Sequence, residues 1–162
     1  MRITVFTPTY NRAYIIENLY RSLQAQTFHD FEWLVIDDGS ADNTKELFDG
    51  WIKEQNPFLI RYYYEENKGK MKELNRAMDL AEGELFFTVD SDDILTEDSL
   101  EKIHKWELDM PKDGTYCGLA GNMGYTRSDS NNPQMKGDYY DASLFQRLRN
   151  TGEVWIGADR AW

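Results

Sequence analysis

Cysteine is almost missing from this chain: Cys117 is the only one in 162 residues. No internal disulfide can form, which fits a reducing compartment. Its apolar-leaning run, Tyr116-Cys-Gly-Leu-Ala120, suits a buried structural thiol better than a nucleophile. Long hydrophobic runs are missing too. No stretch nears the roughly 18 apolar residues of a membrane span, and Met1-Arg-Ile-Thr-Val-Phe6 enters a strand pattern without a signal-peptide pattern. A cytoplasmic location is expected, and peripheral contact with the inner face of the membrane is compatible with it. Basic residues are few, 18 against 29 acidic, for a formal charge of -11. That argues against a nucleic-acid partner, which calls for Lys and Arg patches. It leaves room for a nucleotide, whose few phosphates one metal and one or two cations can hold. The two histidines, His29 and His104, lie far apart with no ligand pattern, and read as surface or helix residues. Gly-x-Ser-x-Gly, Walker and Gly-x-Gly-x-x-Gly patterns are absent, so hydrolase, P-loop and dinucleotide-binding readings lose their main cue.

What is present is a globular composition, 41% hydrophobic and 14% aromatic, in a chain the size of one domain. Strand and helix patterns alternate along the first two-thirds. Ile3 to Thr7 reads as a strand stopped by Pro8, and Ala13 to Gln26 as a helix with Ile15, Ile16, Leu19 and Leu23 on one face. Phe31 to Ile36 is a second strand. A helix capped by Asp42 or Asn43 follows, running to about Lys53. Leu59 to Tyr64, Gly69 to Leu80 and Leu85 to Val89 give strand, helix and strand, and Thr96 is expected to cap a helix from Glu97 to Leu108. Trp33, Trp51 and Trp106 are expected in the core. The series predicts an α/β fold, a mostly parallel sheet with helices on both faces in three layers. Farther on, Cys117 to Thr126 and a segment starting at Glu153 suggest strands, Arg127 to Gly137 a loop, and Asp141 to Asn150 a short helix.

Chemistry concentrates where strands should end. After Leu85 to Val89, Asp90, Asp92 and Asp93 arrive within four positions. Carboxylates this close repel unless they gain protons or a cation, and a hard divalent metal that also holds substrate phosphates is the natural remedy. Thr7-Pro-Thr-Tyr-Asn-Arg12 closes the first strand and Asp37-Asp-Gly-Ser40 the second. In open α/β sheets ligands sit beyond these carboxyl ends. Lys70 and Lys72, at the start of the third helix, are placed to meet a diphosphate. Tyr10, with Asp37 and Asp38, suits a base and ribose. Singly, each has a plainer reading as turn, cap or solvated face. Together at successive strand ends, they point to a nucleoside diphosphate and a metal.

These pieces resemble family 2 glycosyltransferases of the GT-A fold. The resemblance rests on Val5-Phe-Thr-Pro-Thr-Tyr-Asn-Arg12, Leu23-Gln-Ala-Gln-Thr-Phe28, Phe31-Glu-Trp-Leu-Val-Ile-Asp-Asp-Gly-Ser40, Asn67-Lys-Gly-Lys70 with Asn75-Arg-Ala-Met78, and Ala81-Glu-Gly-Glu-Leu-Phe-Phe-Thr-Val-Asp-Ser-Asp-Asp93. It is strong over residues 1 to about 110 and fades afterwards. It implies a nucleotide-sugar-binding half over 1–110 and the start of an acceptor-side half over 111–162. It implies metal-dependent, inverting transfer of a sugar from a nucleotide-diphosphate sugar, with a UDP-sugar the first guess, to a glycan or glycolipid acceptor. Pro8, Thr9, Tyr10, Arg12, Asp37, Asp38, Lys70, Asp90 and Ser91 would surround the nucleotide sugar. Asp38 would contact the base and Asp37 would support its loop. Asp90, Asp92 and Asp93 would hold Mn²⁺ or Mg²⁺. A carboxylate base belongs downstream of the metal motif. Glu153 and Asp159 are the late carboxylates here, and Asp159 fits a segment before that base. The ending at Asp159-Arg-Ala-Trp162, with its apolar aromatic residue, is expected of a fragment whose base lies beyond Trp162. Such a fragment would bind donor without transfer, and its uncovered apolar edge would favour self-association. A sugar-phosphate nucleotidyltransferase would share the sheet and the metal-binding aspartate. It calls for a Gly-rich loop where Pro8-Thr-Tyr-Asn-Arg12 stands.

Overall fold

The computed structural model describes residues 1–67, 69–111, 118–121 and 156–160. At its centre are two strands in which every residue is buried, β1 (Ile3–Thr9) and β2 (Phe31–Asp37). Strands covered on both faces belong inside a parallel sheet, where near-continuous apolar and β-branched runs replace polar alternation. β3 (Leu59–Tyr64) pairs with β2, and β4 (Leu85–Thr88) with the far side of β1, all parallel. β5 (Gly118–Gly121) and β6 (Ile156–Arg160) complete the order β3-β2-β1-β4-β6-β5. β6 runs antiparallel to β4, with Asp159 opposite Phe86. The strand expected from Glu153 is described over Ile156–Arg160. The loop at 127–137, the helix at 141–150, Cys117, Glu153, Trp155 and Trp162 lie outside the described residues. By its contacts the chain divides into two compact units, 1–119 with 157–162, and 120–156.

The helices are α1 (Ile16–Gln24), α2 (Thr44–Trp51), α3 (Lys70–Leu80) and α4 (Ser99–Asp109). Alternate strand residues feed two cores. Ile3, Val5, Trp33 and Val35 pack with Leu19 and Leu23 of α1, Phe48 and Trp51 of α2, and Leu100 and Ile103 of α4. Phe6, Leu34, Ile36 and Phe86 pack with Leu74 and Ala77 of α3. Helices therefore cover both faces, giving three layers. The face follows from chain direction: α1 and α2 connect strands laid outward from β1, whereas α3 carries the chain back across to β4. With right-handed crossovers, reversing direction reverses the face. On the first face an aromatic column forms, with Tyr20 to Trp51 at 4.3 Å, Trp33 to Phe48 at 5.1 Å and Phe48 to Tyr62 at 4.6 Å. Trp33 Nε1 donates to Thr7 Oγ1 at 3.0 Å, so the indole is both stacked and satisfied.

Four local expectations are corrected. Pro8 does not stop β1, which runs on to Thr9 with Pro8 opposite Ile36. Phe6 turns its carbonyl towards Val89, and Pro8, two residues on, faces the same side, where β4 has already ended. Its missing N–H removes no ladder bond there. α1 starts at Ile16, since residues 12–15 form a turn with Ile15 and Ile16 N–H both on Arg12 O. Thr96 is not the cap of α4. That place belongs to Asp98, because Leu95 N–H bonds Ser22 Oγ and Thr27 N–H bonds Glu97 O, holding residues 95–97 against the end of α1. Trp106 is half-buried and stands outside both cores.

Gly83, just before β4, sits where a side chain cannot. A Cβ there would fall 2.4 Å from Thr4 N and 2.6 Å from Ile3 C, both backbone atoms of a buried strand. Gly83→Ala is expected to cost at least about 2 kcal/mol in chemical denaturation, because neither strand can yield without breaking the β1–β4 ladder. A loss under about 0.5 kcal/mol would mean the strands part freely.

Candidate functional site

The sheet order places β1 between β2, laid down next, and β4, laid down after the chain reverses. Beyond the carboxyl ends of β1 and β4 lies the topological switch point, the usual ligand crevice of open α/β sheets. A cavity of about 310 Å³ opens there, lined by Pro8, Thr9, Tyr10, Arg12, Asp38, Lys70, Glu73, Asp90, Ser91 and Asp92.

Its walls are loops that hold one another. Asp38 N–H donates to Thr9 O, carrying the ladder one step past the strands. Asn11 adopts a left-handed φ of 52°, which asparagine tolerates, and there its N–H meets Ser40 Oγ at 2.7 Å and its Oδ1 takes Ala41 N–H at 2.8 Å. Gly39 has φ 86°, and a Cβ on it would stand 3.2 Å from Asn67 N. The Asp38–Ser40 turn therefore packs directly on the segment leading into α3. Asp42 accepts from Ala13 N–H and Thr44 N–H and so ties the post-β1 turn to α2, while Asn43, at the cap position, makes no side-chain cap bond. Desolvation raises the Asp42 carboxyl, but its hydrogen bonds outweigh this and hold it below the ordinary value.

Of the residues singled out in the sequence, Pro8, Thr9, Tyr10, Arg12, Asp38, Lys70, Asp90, Ser91 and Asp92 meet at this cavity. Asp37, fully buried, faces away: it accepts Ser40 N–H at 2.7 Å on Oδ1 and the Tyr62 hydroxyl on Oδ2. The aromatic column thus ends in a brace for the Asp38 turn. Burial, then Asp37, push the Tyr62 hydroxyl far above its usual pKa. Asp93 does not line the cavity; its N–H bonds Asp90 O at 3.0 Å. Burial and then repulsion from Asp90 and Asp92 raise its carboxyl. Lys72 is exposed and does not line the cavity, being two residues from Lys70 and so across the helix. His29 is exposed, His104 packs against Phe28 with tilted rings 4.8 Å apart, and neither lines the cavity.

Glu73 is the residue that the motif reading passed over. It is 5% exposed, on the inward stripe of α3 with Ala77. Desolvation first, then the charge of Asp38 and a hydrogen bond with it, raise its carboxyl to about 7. The available signal was a glutamate at a stripe position where the helical period calls for an apolar side chain.

The cavity carries Asp38, Glu73, Asp90 and Asp92 against Arg12 and Lys70. Lys70 Nζ is 2.6 Å from Asp90 Oδ1, so one of the two cations is already engaged. The buried Thr9 hydroxyl, in the wall, has no hydrogen-bond partner, and a buried polar atom of this kind calls for one. Among the described residues no three His, Cys, Asp or Glu converge as a ready-made metal cage. Two carboxylates on one wall are nevertheless the usual protein share of a Mg²⁺-type site, whose remaining positions go to phosphate oxygens and water. The donor set fits an ion that arrives with an anionic ligand.

The chain is similar to known proteins. The model for glycosyl transferase family 2 matches residues 4–157. "Glycosyltransferase GlyG" of Streptococcus pneumoniae is 30% identical over 130 residues, 80% of this chain and 42% of that protein. A Campylobacter jejuni GalNAc(5)-diNAcBac-PP-undecaprenol beta-1,3-glucosyltransferase is 33% identical over 63% of this chain and 33% of its own length. The chain thus spans about a third to two-fifths of these relatives. Residues 1-349 of S. aureus TarS with UDP-GlcNAc superpose with a TM-score of 0.62 at 31% identity, over 67% of this chain and 32% of that one. The mannosyltransferase PcManGT of Pyrobaculum calidifontis with GDP-Man and Mn²⁺ gives 0.65 at 30% identity, over 74% and 34%. The mostly parallel sheet and its flanking helices are those of GT-A glycosyltransferases, and the chain belongs to glycosyl transferase family 2.

Proposed function

We propose that residues 1–110 form the donor site of a glycosyltransferase that moves a sugar, with inversion, from a nucleoside-diphosphate sugar to a glycan or lipid-linked hydroxyl, and that residues 111–162 begin its acceptor side. The observation that carries this reading is the meeting of Asp90 and Asp92 with Thr9, Tyr10 and Asp38 around one acidic cavity at the switch point. An acidic pocket repels a bare diphosphate and accepts one that brings a divalent cation. Solved relatives carrying UDP-GlcNAc, or GDP-Man with Mn²⁺, support the same ligand class.

In this reading Tyr10, half exposed at the mouth, stacks on the base, and Asp38 accepts a base N–H. Thr9 gives its buried hydroxyl to the nucleoside. Lys70 and Arg12 flank the phosphates. Asp90 and Asp92 hold Mn²⁺ or Mg²⁺, while Asp93 sets the backbone between them. Bound there, the ion would stabilise charge developing on the leaving diphosphate. None of the cavity carboxylates is assigned as the acceptor's base. Among the described residues no helix is long and apolar enough to cross a membrane.

Calorimetry with UDP, and separately GDP, tests the reading. Binding is expected with Mn²⁺ and is expected to weaken at least about tenfold in chelator. Silence with both nucleotides in the presence of Mn²⁺ would remove the donor site. Pyrophosphate release from a nucleoside triphosphate and a sugar phosphate would replace the transferase reading with a nucleotidyltransferase.

A further inference from the structure

We infer that Glu73 is a positioning residue for base recognition: it carries a proton, donates it in a hydrogen bond to Asp38, and so fixes the carboxylate that receives the base N–H. The inference rests on the donor-site reading above and adds to it a residue from α3.

Three observations carry it. Glu73 is almost wholly buried yet lines the cavity. An ionised carboxylate there would be costly, whereas a neutral carboxyl bonded to a neighbour is cheap. The neighbour is Asp38, whose Oδ2 also takes Gly69 N–H at 2.9 Å. Asp38 is therefore gripped by the N-terminus of α3 and by a residue one turn into that helix. A carboxylate held by two donors cannot pivot, and a preorganised acceptor binds better than a mobile one. The surroundings fix where the proton sits. Asp38 and Asp37 face Glu73 from the end of β2. Lys70 lies on its own helix, Arg12 on the turn after β1, and Asp90 and Asp92 on the loop after β4. Lys70 opposes the shift but is drawn to Asp90. The carboxyl stays above its ordinary value, near 7.

The role predicts a loss confined to the base. Two ligands with Mn²⁺ separate it from damage to the whole cavity: UDP, which has a base, and inorganic pyrophosphate, which has none. Calorimetry at pH 6.5 should show Glu73→Ala weakening UDP by about tenfold while leaving pyrophosphate within about twofold. Glu73→Gln keeps a donor for Asp38 and should stay within about threefold of the parent for UDP. Between pH 6 and 8.5 the parent's UDP affinity, normalised to pyrophosphate, should fall as Glu73 ionises, and that of Glu73→Gln should stay level. Melting curves establish that both variants fold. UDP binding by Glu73→Ala at parental strength would overturn the inference, as would equal losses for the two ligands, or a Gln variant as weak as the Ala variant. Failure of the parent itself to bind UDP would instead count against the donor site.

Discussion

Asp92→Asn should abolish most of the Mn²⁺-dependent part of UDP binding, an expected loss of about a hundredfold in affinity with the ion present. Without the ion the sign should reverse. The cavity then holds one carboxylate fewer against the same two cations, so the bare diphosphate is repelled less, and the variant should bind UDP as well as the parent or better. This crossing of the two curves separates a metal ligand from a residue that merely shapes the pocket, because a shape defect weakens both. Asp92 suits the experiment because it is exposed at the lip of the cavity; Asp90 is bonded to Lys70, so replacing it would also release that cation. Stability should hardly move, or should rise, since Asp93 loses a repulsive neighbour that now helps to raise its carboxyl. Titration of parent and variant with UDP in Mn²⁺ and in chelator decides it. If Asp92→Asn kept the whole manganese effect, the ion would have to be held elsewhere.

The layers of this fold were readable because burial on both faces leaves a plain mark: residues 3–9 and 31–37 are almost unbroken apolar or β-branched runs. Errors arose where a local rule met a tertiary circumstance. Pro8 usually closes a strand, but the end of β4 freed the one side on which a proline is harmless. Thr96 has the right chemistry for a cap, yet contacts with α1 hold the chain out of helical geometry for two more residues. At the site, residues consecutive in sequence at strand ends were legible, since any open parallel sheet delivers its strand ends to one rim. Which of two neighbouring aspartates faces the cavity was legible only through the family resemblance, which set Asp38 at the ligand and Asp37 beneath its loop, and not from the local pattern. Asp37 closes β2 opposite Tyr64 and turns to Tyr62, while Asp38 turns the other way, and that choice depends on register with a third strand. Glu73 left only a faint mark, its place on the inward stripe of α3, for a related reason. A glutamate on a helix ordinarily reads as solvated, and its meaning comes from Asp38, a residue remote in sequence.

The second large effect belongs to the opposite rim. Glu32, fully buried at the start of β2, accepts Thr4 Oγ1 at 2.6 Å, Glu82 N–H at 2.8 Å and Arg61 Nη1 at 2.9 Å. Arg61 also donates to Leu80 O at 2.9 Å and to the Tyr63 hydroxyl at 3.0 Å. This network clasps β1, β2, β3 and the turn before β4. Arg61→Ala would leave the Glu32 charge buried without its cation, and the expected destabilisation is about 3–5 kcal/mol. In a domain whose total stability is on the order of 5–15 kcal/mol, that shifts the urea midpoint severely. Restoring charge balance should recover much of the loss: in Glu32→Gln with Arg61→Met, an amide still meets Thr4 and Glu82 while a flexible apolar chain fills the arginine's place. The double variant is therefore expected to be clearly more stable than Arg61→Ala alone. UDP affinity should be unchanged in every variant at temperatures where it is folded, because Thr4 and Thr9 lie about 17 Å apart along β1. A loss below about 1 kcal/mol for Arg61→Ala would mean that water reaches Glu32 and that the pair is no more than a surface ion pair.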